Sequence, residues 1–95
     1  MKVWILYYHQ DLTATDVALH LTEGGALQRA IDWLCADYDN LVGGKDPDLD
    51  AMANKLWSSR RDAPLSELRE SVKWFENQLG EHRIYSLIHH EGVLP

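Results

Sequence analysis

Four histidines and a glutamate are the residues most able to do chemistry in this chain. His9, His20, His89, His90 and Glu91 all fall on stretches that read as strands or strand ends. Neutral imidazoles together with a carboxylate form a donor set for zinc or another divalent transition metal. The spacing matches no metal-ligand motif, however. Adjacent His89 and His90 on a strand point to opposite faces, so at most one of them joins a given cluster. Polar strand ends facing solvent are the better account. A His–Asp device pairing His9 or His20 with Asp16 is weaker still, because no Ser or Cys nucleophile sits in a recognisable turn. Cys35, the single cysteine, lies inside a helical pattern with no adjacent base to lower its pKa, so it reads as a small buried hydrophobe. The chain is therefore expected to have no catalytic residue, no cofactor and no metal.

Two other patterns fail on inspection. Asp46-Pro47-Asp48-Leu49-Asp50 places three carboxylates at alternate positions, as a calcium loop does. Such a loop needs Gly at its sixth position and Glu at its twelfth, whereas this chain has Ala51 and Trp57. Gly24-Gly25 lacks the further glycine and the Lys-Ser/Thr pair of a phosphate cradle, and reads as a turn. Charge distribution carries more weight. Asp32, Asp37, Asp39, Asp46, Asp48 and Asp50 stand against the single Lys45, a local charge of −5. Together with Trp33, which falls off the apolar stripe of its helix and either projects as an aromatic anchor or rests against the second helix, they form a candidate acidic interface for a basic groove of a protein partner.

The elements that must position these residues begin with a strand over 2–9. Trp4, Leu6 and Tyr8 point one way while Val3, Ile5 and Tyr7 point the other, so both faces need cover. A turn near 10–13 and a second strand over 15–21 make a hairpin. A four-residue loop sets Trp4, Leu6 and Tyr8 beside Val17, Leu19 and Leu21. Val3, Ile5, Tyr7 and His9 then share the second face with Ala18 and His20, a candidate partner interface; a loop one residue longer or shorter swaps the partners.

Thr22 is the expected N-cap of a helix over 26–41, whose stripe is Leu27, Ala30, Ile31, Leu34, Tyr38 and Leu41. Gly43-Gly44 stops it. Asp48 is the candidate N-cap of a short second helix marked by Leu49, Met52, Ala53 and Leu56, with Trp57 at its end. A third helix opens between Asp62 and Ser66, has Pro64 in its first turn and buries Leu68, Val72, Phe75 and Leu79. A closing strand over 84–90 follows. The expected fold is a single α+β domain over 1–95, ordered β-β-α-α-α-β. Its three-stranded sheet has the order 2-1-3 and is packed by three helices.

Composition bounds the function. The 95 residues are 45 % hydrophobic and 25 % charged, as ordinary globular domains are. A net charge of −6 argues against sequence-independent nucleic-acid binding, which draws its free energy from Lys and Arg at phosphates. Only Arg60-Arg61 are adjacent basic residues before the closing segment. No apolar run approaches membrane-spanning length and no basic leader opens the chain, so the expected location is the cytoplasm.

The segments Lys2-Val3-Trp4, Tyr8-His9, Thr15-Asp16-Val17, Thr22-Glu23 and Tyr85-Ser86-Leu87-Ile88-His89-His90-Glu91 resemble those of small acidic proteins of phages and mobile elements. Anti-CRISPR proteins are one such group of similar size and acidity. The resemblance implies stoichiometric binding to a host enzyme or defence complex, and it transfers no functional residue. The expected function is that of a protein-binding module, not an enzyme, which inhibits a nucleic-acid-handling or defence complex by occluding its surface. The alternative is a homodimeric accessory domain joined through the open sheet face.

Overall fold

The computed structural model describes residues 2–10, 14–80 and 87–93, with side chains at 3–6 and 18–80. In chain order the elements are β1 (Lys2–Gln10), β2 (Ala14–His20), α1 (Glu23–Leu41), α2 (Pro47–Ser59), α3 (Leu65–Leu79) and β3 (Leu87–Val93). The segments expected as hairpin loop at 11–13 and as strand start at 84–86 lie outside the described residues.

Helix α1 starts where Thr22, in extended conformation, accepts a hydrogen bond from the Gly25 N–H at 3.0 Å. It ends as the Val42 and Gly43 N–H groups return to the Tyr38 carbonyl, and Gly44 turns the chain with a φ of +88°. Helix α2 corrects the expected cap by two residues. Asp46, not Asp48, is the N-cap, accepting from the Asp48 and Leu49 N–H groups, and Pro47 fills the first helical position. The reason is that Pro47 has no N–H to satisfy and holds its φ near the helical value, so the helix extends back to it. Pro64 precedes α3 as its N-cap, one position earlier than expected.

Helix α1 is buried at Ala26-Leu27, Ala30-Ile31, Leu34-Cys35 and Asp37-Tyr38. Adjacent buried pairs make a band wider than the stripe of a surface helix. Helix α1 therefore takes neighbours on two sides, the sheet and α3. Here the expected architecture, a three-stranded sheet of order 2-1-3 packed by three helices, requires correction in the packing, because three helices do not share the sheet. Helix α1 makes the substantial contacts with β1 and β2, whereas α2 and α3 pack on α1. What the side chains define is an α+β fold in which the antiparallel β1–β2 pair carries one helix, which carries two more. Segment β3 runs antiparallel along the other edge of β1, with Lys2 opposite Val93 and Tyr8 opposite Leu87, and its side chains are outside the description.

The hairpin register also differs from the expected one. Trp4 stands opposite His20, Ile5 opposite Leu19, Leu6 opposite Ala18 and Tyr7 opposite Val17. This is one residue away from the four-residue-loop pairing, and with a period of two the slip exchanges faces. Leu6 and Ala18 meet the core, while Leu19 is 61 % and Leu21 70 % exposed. The physical reason is the width of the helix seat. Small Ala18 on β2 and small Ala26 and Ala30 on α1 let helix and sheet approach closely, which large leucines on β2 would prevent. Among the described residues, Leu6, Leu27, Ile31, Leu34, Tyr38, Phe75 and Leu79 are the largest fully buried side chains. Each such aliphatic or aromatic side chain contributes about 1.5–3 kcal/mol relative to exposure.

Candidate functional site

The side of the sheet away from α1 is built by Val3 and Ile5 on β1 with Leu19 on β2. Val3 is 3 % exposed yet stands outside the core cluster beneath α1, Ile5 is half-buried, and Leu19 projects. Leu21 extends the apolar surface just past the end of β2. Tyr7 and His9 hold register positions opposite Val17 and Thr15, and their side chains lie outside the described residues. His20 does not belong to this face. It sits opposite Trp4 on the helix-bearing side, its ring so close to Gly25 that a Cβ there would lie 3.3 Å from Nδ1.

Among the described residues, no group of three His, Cys, Asp or Glu is placed to hold a metal ion. The backbone register spreads the histidines, with His89 opposite Leu6, His90 opposite Ile5 and His20 opposite Trp4. The imidazole of His20 has its pKa lowered by burial and, secondarily, by the charge of Arg29. Its Nε2 is buried without a hydrogen-bond partner among the described residues. Cys35 is buried, and burial followed by the nearby Asp39 and Asp32 pushes its thiol up to about 11. The thiolate that would act as nucleophile or ligand is thus disfavoured.

The six aspartates separate into distinct roles. Asp32 accepts from the Trp57 indole at 3.1 Å and pairs with Arg60 at 2.8 Å, tying α2 to α1. Asp37 is 7 % exposed. Asp46 caps α2. Asp50 accepts from the Tyr38 hydroxyl at 2.9 Å and from the Gly44 N–H at 3.0 Å, so it clamps the α1–α2 turn to the core. Burial, then the hydrogen bond to Asp50, raises Tyr38 to about 12. Asp39 and Asp48 are exposed and complete the set. Trp33 is half-buried and packs against the core, so it is no projecting anchor.

Two concavities were not expected from the sequence. An apolar groove of about 660 Å³ runs between α2 and α3, lined in part by Met52, Leu56, Ala63 and Trp74. A recess of about 340 Å³ is lined by His20, Gly25, Gln28, Arg29, Asp32, Arg60 and Arg61. The adjacent Arg60-Arg61 pair was the available signal for the recess. Joining it to Arg29 required the α1–α2 packing, which sequence periodicity does not supply. No helix among the described residues is long and apolar enough to cross a membrane. No protein-family model, curated protein or solved structure matches this chain.

Proposed function

We propose that this chain is a protein-binding module that seats a protein partner on the exposed leucines at the β2 edge of the sheet face away from α1, with its acidic surface selecting partners that carry a basic, nucleic-acid-handling surface. The observation that carries the reading is Leu19, 61 % exposed beside Ile5 on the side of β1–β2 away from α1. Leu21, 70 % exposed, continues it. Two exposed leucines so close in sequence, beside the half-buried Ile5, are apolar surface of the kind that interaction sites use. The charge of −6 favours encounter with a basic surface. In the phage and mobile-element setting that the sequence resembles, such binding occludes a host enzyme or defence complex without chemistry.

The test is capture from a lysate of the source organism, followed by titration of the purified captured protein with wild type, Leu19→Lys and the double variant Asp39→Lys/Asp48→Lys. The expected result is 1:1 binding that nucleic acid competes away, weakened at least about tenfold by Leu19→Lys. A partner bound equally well by Leu19→Lys overturns the reading. A stable dimer by light scattering that Leu19→Lys converts to monomer replaces the foreign partner with a second copy.

A further inference from the structure

The recess between the start of α1 and the end of α2 is a basic site in an acidic protein. Arg29 comes from α1 and Arg60 and Arg61 from the end of α2, and all three line one cavity of about 340 Å³. Arg60 is held rigidly. Its guanidinium lies 4.2 Å from the centre of the Trp57 ring, its Nε pairs with Asp32 at 2.8 Å, and its Nη1 donates to the Trp57 carbonyl at 2.8 Å. Its side chain is only 11 % exposed. Trp57 is fixed in turn by its indole bond to the same Asp32 carboxylate. Arg29 and Arg61 are exposed, and no carboxylate pairs with either among the described residues.

We infer that this recess binds a small phosphate-bearing ligand through Arg29, Arg61 and the pinned guanidinium of Arg60. Asp32 cancels one of the three arginine charges, which leaves two positive charges in excess at the cavity. A phosphate monoester or inorganic phosphate carries about −1.5 to −2 at neutral pH, so it matches that excess. A carboxylate would engage one guanidinium fork and leave the others unmatched, whereas a tetrahedral oxyanion offers acceptors in several directions. Gln28 lines the same wall and adds an amide donor. The cavity lies within the size range of small-molecule sites and exceeds what a bare phosphate fills, so there is room for a group esterified to it.

Isothermal titration of the purified chain with inorganic phosphate, adenosine monophosphate and, as reference, chloride at matched ionic strength tests this. Saturable 1:1 binding of a phosphate compound is expected. Arg29→Gln/Arg61→Gln, both at exposed positions, is expected to weaken it at least tenfold with an unchanged circular dichroism spectrum. Tighter binding of the nucleotide identifies a phosphate ester as the ligand, and tighter binding of inorganic phosphate identifies the free oxyanion. Heats no larger than those with chloride overturn the inference, as does binding that survives the double substitution. As an independent readout, the indole N–H resonance of Trp57, assigned with Trp57→Phe, is expected to shift on adding phosphate in wild type but not in the double variant.

Discussion

Asp46 and Asp48 have the same side chain, lie two positions apart, and do different things. Asp46 accepts from two N–H groups of the first turn of α2, while Asp48 is an exposed first-turn residue near the positive end of the helix dipole. Asp46→Ala is therefore expected to cost about 1 kcal/mol in urea denaturation, and Asp48→Ala about half of that or less. Equal costs would return the cap to Asp48. Tyr38 carries a pH signature of its own. Its pKa is about 12 in the folded chain against an ordinary value of 10.0, so the fold favours the neutral phenol. That stabilisation is complete below pH 10 and is lost as pH rises from about 10 through about 12. Cys35, raised from 9.0 to about 11, adds an earlier loss of the same sign. Tyr38→Phe lacks the later loss. Its alkaline decline, followed by chemical denaturation at stepped pH, is expected to finish near 11 while wild type continues to fall. Identical alkaline limbs would contradict the Tyr38–Asp50 account.

At the scale of elements, α2 is the loosest attachment. Ala53 is its single buried residue, and the α1–α2 contact is reinforced from outside by Asp32, Trp57 and Arg60. Asp32→Ala leaves the nearly buried Arg60 guanidinium without its counter-ion and the Trp57 indole without its acceptor. Because Asp32 itself is 41 % exposed, solvent recovers part of the loss. The expected cost is about 1–2 kcal/mol, with hydrogen exchange accelerated in α2 more than in α3. Uniform acceleration would mean that α2 unfolds only with the rest. These elements also mark what could be read from the sequence. The stripes of α1 and α3, the Thr22 cap, the Gly43-Gly44 stop and the burial of Cys35 followed from local periodicity and cap chemistry. The hairpin register did not, because it depends on how closely α1 seats on Ala18, a tertiary fact. For the same reason local pattern does not assign His20 to the helix-bearing face, nor does it bring Arg29 together with Arg60-Arg61. The aspartates illustrate a further limit. Composition reads charge but not occupancy, and Asp32, Asp46 and Asp50 prove to be bound within the fold.

At the scale of the whole molecule, structure and binding are expected to separate cleanly. The load on the fold passes from the β1–β2 pair to α1 and from α1 to α2 and α3, so the sheet face away from α1 adds little to folding at Leu19. A lysine at that position meets solvent instead of core, and a surface change of this kind alters stability by no more than about 0.5 kcal/mol. Leu6→Ala, on the opposite side of the neighbouring strand, removes a fully buried side chain and is expected to cost about 2–5 kcal/mol. The two variants thus form a matched pair across one hairpin. Denaturant midpoints are expected to leave Leu19→Lys at the wild-type value and to lower Leu6→Ala. Titration against a captured partner at permissive temperature is expected to show the reverse order, with Leu19→Lys impaired and Leu6→Ala binding normally while folded. If Leu19→Lys proves as destabilising as Leu6→Ala, the face is part of the folding core in solution, and the proposed docking surface loses its basis. If both variants are stable and both bind, the partner sits elsewhere. The exposed Asp39 and Asp48 then become the next positions to reverse, because unlike Asp37 and Asp46 they can change sign without disturbing burial or a cap.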